Sequence, residues 1–465
     1  MTSIDPPAQI FKAYDIRGIV NKSLTTKGVN LIGQAVAHLV NSSNPTAQQK
    51  VCVGRDGRHS GKEISEALIE GLTAKSEISV FDIGQVTTPI LYYAALKEYG
   101  GNGVMVTGSH NPPEYNGLKL MISGNSLSGS EIQNVYEYTK NLKEIRKNRK
   151  DITTADFADR YLKEIVQRVS LSRKIRVALD CGNGIAGAYA PQIFKALGCE
   201  VEELFCEVNG DFPNHHPDPS QPKNLKDLIK AVRKGSAELG LAFDGDGDRL
   251  GVVTKTGDII FPDRQLMILA ADVLKKNRGA DIIFDVKCSS LLSKWIIKHG
   301  GKPIMHNTGH SLIKKKMKES QAPLAGEMSG HIFFKDRWFG FDDGIYAGAR
   351  LLEVLSKQDD ITETLKNLPD AISTPEIQIP LREGENHAFV KELMNTNKLS
   401  TAQNLIRIDG LRAEYKSGFG LVRASNTTPV LVLRFEAGSE RELQIIKKEF
   451  KSAIIDINPD IYLPF

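Results

Sequence analysis

Cysteine is scarce: Cys52, Cys181, Cys199, Cys206 and Cys288 are the only five in 465 residues, and no two form a CxxC pair. An odd, scattered set does not make a disulfide framework and reads as small buried thiols in a reducing compartment. Long hydrophobic runs are missing too. No apolar stretch approaches the ~18–20 residues needed to span a bilayer. The first residues, MTSIDPPAQIFKAYDIRG, hold no basic segment followed by an apolar one, so no secretory signal is expected. A cytoplasmic protein without membrane attachment is the expectation. An excess of one charge is also absent. The formal net charge is only +4, which gives no bulk attraction to nucleic acid or to a membrane surface. Any anion site has to be built locally.

What is present is the balance of a soluble globular protein, 41% hydrophobic and 25% charged. At roughly 150 residues per domain, the chain has room for three or four. Three stretches share one plan. VCVGRDGR (51–58) is an apolar strand ending in a polar turn, followed by the helical pattern GKEISEALIEGLTAK and the strand ISVFDIG. IRVALDCGNG (175–184) and DIIFDVKCS (281–289) are followed in the same way by a helix, a glycine stop and a second strand. Strand, turn, helix, strand is a βαβ unit, so three similar α/β domains are expected. The last ~95 residues differ. Several strands joined by glycine turns and one amphipathic helix, SERELQIIKKEFKSAIIDI, predict a smaller α+β domain. Proline-rich KNLPDAISTPEIQIP (366–380) reads as a linker, and the basic run KEIRKNRKD (143–151) as a solvated helix end. The expected domains are 1–153, 154–256, 257–368 and 369–465.

The strongest local signal is FDGDGDRLG (243–251), where Asp244, Asp246 and Asp248 alternate with glycines. Three carboxylates this close repel one another unless a cation sits between them. Oxygen ligands point to Mg²⁺, Ca²⁺ or Mn²⁺. A calcium EF-hand is excluded, because its required Gly and Glu positions hold Arg249 and Lys255. DCGNGIAG (180–187) has GxGxxG spacing, but the equivalent turns of the other two units lack it. Its glycines are read as packing devices rather than a dinucleotide site. GEMSGH (326–331), if extended, would align Glu327, Ser329 and His331 on one side, a set suited to sugar hydroxyls; otherwise it is an ordinary polar loop. RASNTTP (423–429) sets Arg423 beside Ser425, Asn426, Thr427 and Thr428, either a phosphate cradle or a polar turn. Arg17, Lys287 and His310 stand near expected strand or turn ends.

VTGSHNPPEYNGLKL (106–120) collects Ser109, His110 and Lys119 in a segment whose glycine and proline exclude a regular helix. It matches neither the GxSxG elbow of a serine hydrolase nor a phosphate-binding Walker sequence. It fits a serine, exposed at a cleft, that carries a phosphoryl group. The ~1.5 to 2 negative charges of that group would be balanced by a metal at the aspartate turn and by Lys119, His110 and Arg249.

TGSHNP, DGDGDR, GEMSGH and RASNTTP occur in this order, one per expected domain, with YDIRG near the start. Together they resemble the α-D-phosphohexomutase family, and among its members the bacterial phosphomannomutase/phosphoglucomutase enzymes. The resemblance spans nearly the whole chain. It implies three like α/β domains and a smaller one around a central cleft. It also implies reversible transfer of a phosphoryl group between C1 and C6 of mannose and glucose phosphates. Ser109 would be the phosphoserine, and Asp244, Asp246 and Asp248 would bind Mg²⁺ with an oxygen at Ser109. Arg17, Lys119 and His331 would assist proton transfer or stabilise the moving phosphoryl group. Glu327 and Ser329 would read the sugar hydroxyls. Arg423, Ser425, Asn426 and Thr427 would hold the unreacting phosphate, with Tyr14, Lys287 and His310 supporting the substrate. Glucose or mannose 1,6-bisphosphate would be the intermediate and activator. A monomer is expected, with oligomerisation left open. GEMSGH favours the hexose enzymes over the glucosamine mutases, which usually read GEQSGH. A Mg²⁺-dependent sugar phosphatase and a non-catalytic sugar-phosphate binder are the rival readings.

Overall fold

The computed structural model describes residues 5–43, 49–74, 78–145, 152–382, 384–426 and 428–465. Strand Lys50–Arg55 leads into helix Gly61–Thr73 and returns as strand Ser79–Gln85, parallel to the first. Ile64, Leu68 and Leu72 recur at helical spacing and are buried, so the apolar stripe of that helix packs inward. The unit repeats as Arg176–Asp180, Ala190–Ala196 and Glu200–Leu204, and again as Asp281–Asp285, Ser290–Lys298 and Lys302–His306. All three βαβ units expected from the sequence are present.

Each unit is extended by the same device. A third strand, Gly103–Val106, Leu239–Phe243 or Leu324–Gly326, pairs in parallel with the first strand of its unit. The chain then turns back into an antiparallel strand, Tyr115–Ile122, Leu250–Thr254 or Ile332–Phe334. TGSHNP, DGDGDR and GEMSGH are the turns of these three hairpins. The equivalence between the domains thus lies at these turns as well as at the strand–helix turns compared in the sequence. The C-terminal sheet is antiparallel, in the order Ile372–Ser373, Val430–Ala437, Gly418–Ala424, Leu411–Tyr415, Asn404–Ile406. RASNTTP is again a hairpin turn, between Gly418–Ala424 and Val430–Ala437. Helix Glu440–Ile457 covers this sheet with Leu443, Ile446, Phe450 and Ile454. It is capped by Ser439, whose Oγ accepts the Glu442 N–H at 3.3 Å.

Two sequence readings need correction. The proline-rich stretch 366–380 is not a bare linker, because Ile372–Ser373 and Ile377–Pro380 both pair with Val430–Ala437. The alternation of Ile377 and Ile379 was the overlooked strand signal. The basic run does not end a helix either. Helix Ser130–Thr139 stops before it, and Gln34 and Asn30 donate to the carbonyls of Lys143 at 2.9 Å and Ile145 at 3.0 Å. Residues 146–151 of the run lie outside the described residues. Thr153–Thr154 belongs to the first sheet and Ile259–Ile260 to the second, so the sheets end at Thr154 and Ile260, beside the expected boundaries at 153 and 256.

One apolar core runs through the first three domains, from Tyr92 through Phe194 and Phe243 to Phe334 and Leu355. The C-terminal domain has its own core around Leu433, Phe435 and Phe450. It meets the third through a small cluster, Val286, Phe419 and Leu421. Arg412 lies 3.6 Å over the Phe419 ring and donates to the carbonyls of Val286 at 2.5 Å and Cys288 at 2.7 Å. Three domains therefore form one packed body, and the fourth is joined to it largely by polar contacts. Among the described residues, no helix is long and apolar enough to cross a membrane.

Candidate active site

The four hairpin turns face one cleft of about 1280 Å³. Ser109, His110, Lys119, Arg249, Glu327, Ser329, His331, Arg423, Ser425 and Asn426 all line it, joined by Tyr14, Arg17, Lys287 and His310. Thr427 lies outside the described residues. Asp244, Asp246 and Asp248 are wholly buried behind the wall.

Ser109 sits at φ +48°, a left-handed conformation uncommon outside glycine. The turn is pinned around it. Thr107 Oγ1 accepts the Ser109 N–H at 2.7 Å and donates to Asp56 at 2.7 Å. Arg58, itself buried, donates to the carbonyls of Ser109, Asn111, Pro112 and Tyr115 at 2.6–2.9 Å. Contrary to expectation, Ser109 is not exposed: only 1% of its surface is free. A Cβ at Gly245 would sit 2.3 Å from the Ser109 carbonyl oxygen, so the bare glycine lets the aspartate turn press against the serine turn. Ser109 Oγ donates to Asp244 Oδ2 at 3.1 Å and stands 3.1 Å from His110 Nδ1. Burial, followed by Arg249 and Arg17, pushes the His110 imidazole well below its ordinary pKa. His110 is thus neutral here and supplies no positive charge, unlike the sequence reading.

At the aspartate turn, Asp244 Oδ1 accepts three successive N–H groups, from Gly247, Asp248 and Arg249, each at 3.1 Å. Lys119 comes from strand Tyr115–Ile122 of the first domain. Its Nζ reaches Asp246 Oδ2 at 2.6 Å and Asp248 Oδ2 at 2.5 Å. The positive charge, expected at the serine, therefore lies on the aspartates instead. Thr88 Oγ1 donates to Asp246 Oδ2 at 2.5 Å. The three carboxylates each present an oxygen within 4.8 Å of the others. Asp246 Oδ1 is buried and accepts no hydrogen bond, and buried Asp248 Oδ1 has only the His331 ring beside it. Burial, then Asp248 and Asp246, push the Asp244 carboxyl well above its usual range. The unpaired Asp246 oxygen, the Asp248 oxygen beside it and a third at the Ser109 hydroxyl suit a small divalent cation with oxygen ligands.

GEMSGH forms a tight turn instead of a strand. The Glu327 N–H donates to the His331 carbonyl and the Gly330 N–H to the Glu327 carbonyl. The three side chains still converge, by turn geometry and not by alternation. Glu327 Oε2 and Ser329 Oγ each lie 3.0 Å from His331 Nδ1. Asp248 Oδ1 is 3.3 Å from His331 Nε2. Burial opposes charge on this ring, but Asp248 and Glu327 outweigh it and push its pKa up to about 9.

Arg17, Lys287 and Arg423 each hold an acid, and the His310 imidazole, whose pKa burial lowers, stands near one. Arg17 pairs with Asp15 and donates to Asn111 Oδ1 at 2.6 Å. Lys287 reaches Glu376 at 2.7 Å, and Arg423 reaches Asp409 at 3.0 Å. His310 Nδ1 is 3.4 Å from Asp342. Tyr14 joins three domains. Its hydroxyl donates to the Thr308 carbonyl at 2.6 Å and accepts from Asn426 Nδ2 at 2.5 Å. Tyr14→Phe would leave both partners without their bond, a penalty of about 1–2 kcal/mol. We expect KM for a hexose phosphate to rise roughly 5- to 30-fold with kcat within about threefold. Unchanged steady-state kinetics would show that the bridge is idle.

Four sequence models of one family match the chain in order. They are Phosphoglucomutase/phosphomannomutase alpha/beta/alpha domain I at residues 8–146, domain II at 159–257, domain III at 261–372, and the C-terminal domain at 376–453. The chain belongs to this family. A phosphoglucomutase of Neisseria meningitidis serogroup A is 54% identical over 457 residues, 98% of each chain. A phosphomannomutase/phosphoglucomutase of Pseudomonas aeruginosa is 51% identical over 460 residues, covering 99% of this chain and 98% of its own. A crystal structure of a phosphoglucomutase/phosphomannomutase family protein from Burkholderia thailandensis is 48% identical and superposes with a TM-score of 0.92, over 98% of this chain and 99% of the other. The phosphoglucomutase/phosphomannomutase fold thus explains why the four turns meet. Sequence reasoning missed the residues that hold them in place: Arg58, Asp56, Thr107, Thr88, Glu376, Asp409 and Asp342. Only the GRDGR turn carried a signal, an arginine two residues after an aspartate. Its partners lie more than 50 residues away.

Proposed function

We propose that the chain interconverts hexose 1-phosphates and hexose 6-phosphates, of mannose and of glucose, using Ser109 as the phosphoryl carrier. The observation that carries this reading is the stacking of the Ser109 hydroxyl on Asp244, with the cleft's cationic and hydroxyl-bearing side chains facing it. Each of the four units expected from the sequence contributes one turn. Phosphoserine donates to the sugar hydroxyl opposite the existing phosphate: the P–Oγ bond breaks, a P–O bond to the sugar forms, and the hydroxyl proton passes to a neighbouring base. The resulting 1,6-bisphosphate turns over in the cleft and returns its other phosphoryl group to Ser109. Transfer of this kind needs positioning and charge stabilisation more than covalent chemistry. Lys119 and Arg249, both held at the aspartate turn, and Arg17, held at Asn111, would stabilise the moving phosphoryl group. Glu327 and Ser329 would read sugar hydroxyls. Arg423, Ser425 and Asn426 would hold the distal phosphate, with Lys287 and His310 supporting the substrate. The substrate would compete with Asp409 and Glu376 for Arg423 and Lys287. The mannose and glucose substrates differ only at C2, and dual use follows if these contacts ignore that carbon.

Asp244, Asp246 and Asp248, with an oxygen at Ser109, would hold Mg²⁺. Bound there, the ion would neutralise the carboxylates and supply charge to phosphoryl oxygens. Chelation with EDTA is expected to lower turnover at least roughly a hundredfold, with recovery on adding Mg²⁺; full activity in EDTA would rule the site out. We place the enzyme in the cytoplasm as a monomer. The deciding assay supplies glucose 1-phosphate and mannose 1-phosphate with trace glucose 1,6-bisphosphate. Hexose 6-phosphate as the main product supports the mutase. Free phosphate as the main product would make the chain a phosphatase, and no turnover a mere binder.

A further inference from the structure

The sulfur atoms of Cys181 and Cys206 stand 3.5 Å apart, both as free thiols. Strands Arg176–Asp180 and Glu200–Leu204 pair in parallel with Asp180 opposite Leu204. The Cys181 N–H extends that ladder by donating to the Leu204 carbonyl at 3.1 Å. Phe205 then adopts φ +50°, an outlying conformation for a bulky residue. The turn it makes leaves Cys206 Sγ beside Cys181 and within 3.5 Å of the Leu204 carbonyl oxygen. Cys181 is fully buried and Cys206 only partly so. Neither thiol belongs to the cleft.

We propose that Cys181 and Cys206 form a redox modification site, in which a hydroperoxide joins them as a disulfide and thereby disturbs the aspartate turn. Cys206, the more accessible, attacks the O–O bond as its thiolate. For hydrogen peroxide, one water leaves and a sulfenic acid remains. The Cys181 sulfur then attacks that sulfur: the S–S bond forms, the S–O bond breaks, and a second water carries off the Cys181 proton. Two thiols and one peroxide give one disulfide and two waters.

The bond requires the two sulfurs to close in by about 1.5 Å, on the side of Cys181 within tightly packed backbone. The Cys181 carbonyl accepts the Gly184 N–H at 2.7 Å, and the Ile185 N–H donates to the Gly245 carbonyl at 3.1 Å. A Cβ at Gly187 would lie 2.1 Å from the Cys206 carbonyl oxygen, and one at Gly184 3.0 Å from Gly245 Cα. Gly245 is in turn the residue pressed against Ser109. A shift at the thiols therefore reaches the turn that carries Asp244.

The full-length reduced protein, treated with hydrogen peroxide, alkylated and mapped without reduction, is expected to yield a Cys181–Cys206 cross-linked peptide. The oxidised protein should bind Mn²⁺ roughly tenfold or more weakly by paramagnetic titration. Dithiothreitol should restore both. Cys206→Ser should form no cross-link and keep its Mn²⁺ affinity under peroxide. Mutase turnover, the one readout that rests on the proposed reaction, should fall and recover in parallel. A reduced protein without mutase activity would defeat that reaction alone, because the cross-link and Mn²⁺ readouts still decide this site. A peroxide-treated protein without the cross-link, or a cross-linked protein with unchanged Mn²⁺ affinity, would overturn the proposal. So would Cys206→Ser losing Mn²⁺ affinity under peroxide as the parent does.

Discussion

Ser109→Ala is expected to lower kcat by roughly 10⁴-fold or more, equivalent to about 5.5 kcal/mol of transition-state stabilisation, while the fold and substrate binding survive. The substitution removes one oxygen. That oxygen bonds Asp244 Oδ2 and stands beside His110 Nδ1, each at 3.1 Å, and losing such a bond costs about 1 kcal/mol. The turn does not depend on it, because Arg58 and Thr107 hold the Ser109 backbone. The left-handed φ is no worse for alanine than for serine. The melting temperature should therefore move by no more than a few degrees, on the order of 4 °C. Glucose 1-phosphate affinity should stay within about threefold by calorimetry, since the proposed distal clamp at Arg423 and the proposed sugar readers at Glu327 and Ser329 are untouched. Incubation with labelled glucose 1,6-bisphosphate should leave no label on the protein. Turnover within tenfold of the parent, or label retained on another residue, would remove Ser109 from its role.

The chemistry was readable from the sequence where it is local. The alternation of Asp244, Asp246 and Asp248 with glycines announces converging carboxylates by spacing alone, and their oxygens do converge. The three βαβ units were readable because helical and strand periods differ. What stayed hidden depends on contacts between distant segments. Lys119 looks like a partner for Ser109, ten residues before it. It is drawn to Asp246 and Asp248, 127 and 129 residues away, because two carboxylates attract it more than one hydroxyl. Ser109 looks exposed because its loop is polar and rich in glycine and proline. It is covered because Gly245, in another domain, lacks a side chain. GEMSGH is ambiguous between strand and loop for a different reason. Alternating polar residues fit a strand as well as a turn, and only the glycines on either side, Gly326 and Gly330, favour the turn. Gly330 does take φ +100°.

Arg58→Met is expected to lower kcat by about 10²-fold, as a misplacement near 1 Å does, with KM within about threefold, and to destabilise the fold by about 3–5 kcal/mol. The guanidinium is 2% exposed and donates to four carbonyls within residues 109–115 as well as to Asp56 Oδ2 at 3.2 Å. A Cβ at Gly108 would meet its Cζ at 2.5 Å, so the loop is moulded onto this one side chain. Methionine keeps the stem but strands four carbonyls and a buried carboxylate. Arg58→Lys keeps the charge, yet three donors on one nitrogen cannot serve four carbonyls spread along the turn. It should recover part of the stability and little of the rate. The split matters, because a residue needed only for folding would return turnover in proportion to the folded fraction. Urea unfolding, read beside single-turnover transfer from glucose 1,6-bisphosphate at saturating sugar, separates the two effects. If folded Arg58→Lys transfers the phosphoryl group at the parent rate, the arginine only supports the fold. If transfer is slow in a fully folded sample, then the position of Ser109 against Asp244 is set from behind, by a side chain that never meets the substrate.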